Sequence, residues 1–166
     1  MGKGDVQAFR EIVASTAPAL FRLAARLTGS TQEAEDVLQD SYVKAWNAIE
    51  QDRFEGRAQL ETWLYRIVTN TAIDALRSQR RRGRTGASLS ADIPAAGQAA
   101  DTGAALRELA TWLGDLPEDQ HAAIVLKELE GMTSTEIATV LGCSEGAVEQ
   151  KLVRARATLR GRASRG

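Results

Sequence analysis

Residues 134–156 read STEIATVLGCSEGAVEQKLVRAR, and this stretch decides the fold. Thr133 and Glu136 form a capping box for a short helix ending at Leu141. Ala138 is small enough to let two helices approach. Gly142, four residues on, can supply the positive φ that a sharp inter-helix turn needs. Ser144 caps a last helix from about Glu145 to Arg160, and Val148 packs that helix back on the first. This is the layout of a helix-turn-helix. An ordinary αα-hairpin satisfies the same spacing, but here the spacing coincides with a basic second helix. A helix of that kind suits a DNA major groove. Its outward side chains would include Glu149, Gln150, Lys151 and Arg154, with Lys127 on the preceding helix placed to hold a phosphate.

Upstream, Leu106, Leu109, Trp112, Leu113 and Leu116 make one short amphipathic helix. Pro117, followed by Glu118 and Asp119, opens the next, which stops at Gly131. Residues 83–104 are rich in Ala, Gly and Ser and show no period, so they read as a flexible linker. A chain of that length has an r.m.s. span of roughly 25 Å and a limit of about 70 Å. It can connect two modules standing some turns apart on a duplex.

The first module, residues 1–82, is helical too. Val6, Phe9, Ile12, Val13, Leu20, Leu23 and Leu27 follow helical spacing, with Pro18 marking a kink or junction and Gly29 ending the segment. Ser30 and Glu33 read as a capping box. The helix after them carries Ala34, Val37, Leu38, Tyr42, Ala45, Trp46 and Ile49 as one apolar stripe, and Glu35, Asp36, Gln39, Asp40 and Lys44 on other faces. Residues 51–58 read as a loop presenting Phe54. A helix from about Gln59 to Arg82 follows, apolar along Leu60, Trp63, Leu64, Ile67, Val68, Ala72 and Leu76 and polar along Arg66, Asn70, Asp74 and Arg77. The fold class is all-α, two small helical modules on one linker.

Charge is distributed in blocks. Net charge is only −1, yet Glu33, Glu35, Asp36, Asp40 and Glu50 cluster against a single Lys44. Arg77, Arg80, Arg81, Arg82 and Arg84 fall within eight residues, and six basic residues follow from Lys151 with no acid. Such a chain can face two different partners at once. The arginine cluster could be a solvated helix end, where positive charge suits the dipole. Five arginines exceed what a helix end needs, and neighbouring aromatics suit distorted or single-stranded DNA. One cysteine, Cys143, and one histidine, His121, exclude an internal disulfide, the usual zinc sites and most His-based catalysis. Cys143 reads as a small filler in the turn, and His121 as a surface residue. No apolar run is long enough to span a membrane and no signal core opens the chain, so a cytoplasmic location is expected. Neither a cofactor nor an enzymatic step is expected.

Three stretches, LTGSTQEAEDVLQDSYVKAW (27–46), FEGRAQLETWLYRIVTNTAIDALR (54–77) and LPEDQHAAIVLKELEGMTSTEIATVLGCSEGAVEQKLVRAR (116–156), resemble an extracytoplasmic-function (ECF) sigma factor. The resemblance implies a division of labour. The first module would be sigma region 2, docking on core RNA polymerase (β and the β′ clamp helices) through Asp36, Gln39 and Asp40. It would open the −10 element with Phe54 in the base-holding loop and with Arg66, Asn70, Arg77, Arg80 and Arg81. The second, residues 105–166, would be sigma region 4, reading the −35 element through Lys127, Ser144, Glu149, Gln150, Lys151 and Arg154. Promoter DNA and an anti-sigma factor are the other implied partners. Relatives often carry a basic residue in place of Glu149; a carboxylate there could accept from cytosine N4 or orient Lys151 or Arg154. A stand-alone helix-turn-helix regulator, or a sigma mimic that titrates an anti-sigma protein, are the competing readings. The first leaves the acidic helix unexplained, and the second leaves the basic clusters unexplained.

Overall fold

The computed structural model describes residues 3–51, 60–82 and 100–165. Every regular element among them is helical: α1 (Lys3–Thr28), α2 (Thr31–Glu50), α3 (Leu60–Arg81), α4 (Ala100–Gly114), α5 (Glu118–Ile124), α6 (Ser134–Leu141) and α7 (Glu145–Arg165). A five-residue π-helical turn, Val125–Leu129, extends α5.

Helix ends follow the local chemistry. Gly29 stops α1 at φ 74°, its amide donating to the Ala25 carbonyl. Pro18 lies inside α1, which runs through it as one helix, so of the kink or junction expected there no junction forms. Around it, Thr16 Oγ1 and Ser15 Oγ both donate to the Ile12 carbonyl, two contacts that bind this turn from the side chains. Ser30 caps α2 by accepting from the Glu33 amide, but only half of the expected capping box forms. Glu33 turns away and accepts from Gln79 of α3, tying two helices instead of closing its own turn.

α1, α2 and α3 pack on one another as the first module; α5, α6, α7 and the end of α4 form the second. Leu20, Leu23 and Leu27 meet Ala34, Val37 and Ala45 of α2 and Leu64, Val68 and Ala72 of α3 in the buried core. Small residues on α2 let α1 and α3 come close, while a fully buried Leu such as Leu64 contributes about 1.5–3 kcal/mol. Leu116, Val125, Leu126, Ile137, Val140, Val148 and Leu152 fill the second module. α4 starts at Ala100, within the stretch read as linker, so less of that stretch is left between the modules.

The two modules also pack against each other, which the sequence reading did not anticipate. α3 lies between its own partners and the helices α5 and α6, and α1 touches the π-helical turn. His121 is a correction to the sequence reading: it is 4% exposed, not a surface residue. Its position four residues after Pro117 puts it on the α5 face that meets the first module.

Candidate nucleic-acid interface

The helix-turn-helix is built as its sequence dictates. Thr133 and Glu136 complete both halves of the capping box at α6, and the two Thr133 hydrogen bonds hold the exposed Glu136 carboxyl below its usual range. Gly142 adopts φ 68°, a left-handed turn that a side chain would strain. Ser144 caps α7 by accepting from the Ala147 amide.

Outward on α7 lie Gly146, Glu149, Gln150, Val153 and Arg154, all exposed. Glu149 bonds neither Lys151 nor Arg154; Ser134 Oγ of α6 donates to its carboxylate. Thr135 Oγ1 donates to Glu145 in the same way at 2.9 Å. Two hydroxyls of the first helix thus hold two carboxylates of the second, fixing the angle between them. Lys151 faces Asp119 at 3.5 Å and is partly covered. Lys127 sits in the π-helical turn, half-buried. Val153 is 60% exposed among these polar groups, and sequence reading had passed over it. An apolar side chain on the outward face of the second helix of the pair was the available signal.

On α3, Arg66, Asn70, Arg77 and Arg81 share one exposed face, at helical spacing with Asp74 among them. Arg80 lies at the edge of this face and turns to the second module. Its Nη2 donates to the carbonyls of Gly114 (3.0 Å) and Leu116 (2.8 Å), and its Nη1 pairs with Glu118 at 3.0 Å. Trp63 is half-buried against the core, as its place on the apolar stripe implied. Phe54 and Arg84 lie outside the described residues.

On α2, Asp36, Gln39 and Asp40 are exposed on one face, away from the core. Val43, one turn on, is 60% exposed among them. It places one apolar side chain beside the acidic row. It too was missed, because it breaks the stripe on which the core was read. Among the described residues no cluster of three metal-ligating side chains occurs, and no helix is long and apolar enough to cross a membrane.

Two helical modules, one with a polar DNA-compatible face on a long helix and one a helix-turn-helix, define a bipartite transcription factor. Residues 12–82 match the Sigma-70 region 2 family and residues 106–159 match Sigma-70, region 4. The ECF RNA polymerase sigma-E factor of Salmonella typhimurium is 34% identical over 171 residues, covering 93% of this chain and 85% of that one. The structure of CnrH in complex with the cytosolic domain of CnrY superposes with a TM-score of 0.68 at 32% identity, over 95% of this chain and 88% of that chain. The sigma factor RpoE of Bartonella quintana, solved with the anti-sigma factor NepR, gives a TM-score of 0.68 at 29% identity, over 93% and 96%. The chain belongs to the ECF family of RNA polymerase sigma factors, and its two modules are sigma regions 2 and 4.

Proposed function

We propose that this sigma factor divides its work between faces that never overlap. The α2 face (Asp36, Gln39, Asp40, joined by Val43) docks on the β′ clamp helices of core polymerase. The α3 face (Arg66, Asn70, Arg77, Arg81), with Arg80 at its edge and Phe54 in the preceding loop, holds the opened −10 strand. The second module reads −35 duplex. Gln150 suits adenine, Arg154 guanine, and Val153 the thymine methyl group. Lys127 and Ser144 hold phosphates, and Lys151 does so when it leaves Asp119. The observation that carries this reading is the separation of charge. The acidic row on α2 and the polar and basic row on α3 are both exposed and belong to one packed three-helix unit.

Glu149 is read as a structural tie, because its carboxylate is engaged by Ser134 and not free to meet a base. No bond is made or broken by the factor itself. Strand opening is driven by tighter binding of the unstacked bases, against an unstacking cost of a few kcal/mol. Control by an anti-sigma factor fits the solved relatives, two of which are held in complexes with partner proteins. The reading places the protein in the cytoplasm, where the polymerase is.

Run-off transcription on a genomic fragment library, with core polymerase and this chain as the only added factor, tests it. Discrete start sites sharing two spaced elements are expected. Transcripts no different from core alone would sink the reading and favour a stand-alone regulator.

A further inference from the structure

Val153 is 60% exposed on α7. A lone valine in water is ordinary on a protein surface. Its place on this helix gives it meaning. Val148, Leu152 and Ala155 are buried and fix the side of α7 that packs into the second module. At about 3.6 residues per turn, Val153 lies about 140° round the helix from Val148. Gly146, Gln150 and Ala157 share that outward side and are exposed as well. Gly146 and Ala157 are short, so an amide and an isopropyl group stand proud of the middle of this face. The charged neighbours lie to either side. Glu149 accepts from Ser134 Oγ of α6, and Lys151 faces Asp119 at 3.5 Å. Arg154 is exposed at the other edge.

We propose that Val153 reads the C5-methyl group of a pyrimidine in the −35 duplex, which makes promoter choice sensitive to cytosine methylation: 5-methylcytosine can stand in for thymine at this position, and unmodified cytosine cannot. The inference deepens the −35 role proposed above for the second module and rests on it. An isopropyl group has no donor or acceptor, so it gains nothing from the polar base edges. The apolar group that base pairs present in the major groove is the C5-methyl of thymine. Methylation at C5 puts the same group at the same ring position of cytosine. On the groove edge the two bases then differ at C4 alone, where thymine has an acceptor oxygen and 5-methylcytosine an amino donor. A free carboxylate beside Val153 would tell them apart by accepting from the amino group. Glu149 is the neighbouring carboxylate, and Ser134 engages it. The methyl group is what this part of the face is left to read.

Binding of the reconstituted holoenzyme to a promoter found by run-off transcription tests this. Each thymine of the −35 element, on either strand, is replaced in turn by uracil opposite adenine, and by cytosine or 5-methylcytosine opposite guanine. Thymine is compared with uracil and 5-methylcytosine with cytosine, so each comparison changes one methyl group only. At one position both methylated bases should bind about fourfold more tightly than their unmethylated partners, the effect of one methyl group withdrawn from water. Val153→Ala should bring both ratios there to within about 1.5-fold of one, because the methyl group loses its contact. Val153→Ile, which keeps an apolar contact, should preserve them. A variant that merely weakened the helix would lower all four affinities together and leave the ratios unchanged. A wild type with no position that favours the methyl group in both comparisons overturns the proposal. So does a preference that survives Val153→Ala undiminished. Either result with promoters still used removes this inference alone. Absence of discrete start sites in the run-off assay removes the sigma-factor reading, and this inference with it.

Discussion

His121 is the chain's only histidine, and it lies in the seam between the modules. Burial drives its pKa down from 6.5 to about 4; the backbone of Arg26 opposes the shift by accepting a hydrogen bond, Arg80 adds to it, and Glu118 opposes it. Its Nε2 has no hydrogen-bond partner among the described residues. The sign follows directly. An exposed imidazole takes up a proton near pH 6.5, while the buried one stays neutral to about pH 4. Stability from the neutral form is therefore complete above pH 6.5 and falls as pH drops through that window. At pH 5 the loss is about 2 kcal/mol. Urea unfolding at pH 7 and pH 5 should show that drop in the wild type, and His121→Leu should flatten at least half of it. An equal drop in both proteins would place the proton elsewhere.

At the scale of the element, α2 carries two surfaces that do not communicate. Ala34, Val37 and Ala45 are buried, while Asp36, Asp40 and Val43 face solvent. Asp40→Arg should therefore leave helix content and thermal midpoint nearly unchanged and weaken binding to core polymerase by about 2–4 kcal/mol, as loss of a central interface residue does. Affinity within twofold of wild type, measured by fluorescence anisotropy, would remove Asp40 from the docking surface.

These faces were legible because helical period and charge act locally. The Thr133–Glu136 box, Gly142 and Ser144 each sit within four residues of the groups they satisfy. What stayed hidden was non-local. Glu33 leaves its own box for Gln79, 46 residues away, and Arg26 finds Glu130 at a separation of 104. Glu149 is engaged by Ser134, 15 residues back, and nothing within its own helix shows that. No periodicity encodes such pairings; they depend on how helices are brought together.

For the whole molecule, the two modules meet along a seam of charged groups. Arg26 pairs with Glu130 and Arg80 with Glu118, so these two arginines are occupied by the chain's own carboxylates. α2 packs on α1 and α3, and Asp36, Gln39 and Asp40 take no part in these ion pairs.

The turn at Gly142 is followed at once by Cys143, the chain's one thiol, half-buried and free. That position gives the protein a native optical and chemical handle in the turn of its helix-turn-helix. A maleimide dye added to the unmodified protein would label a single site, with no engineered cysteine. Because Cys143 is half-buried in the folded second module, its reaction should be at least about threefold slower in the native protein than in urea, since labelling of a gated group tracks the open fraction. Equal rates under the two conditions would mean that the fold leaves the thiol fully accessible.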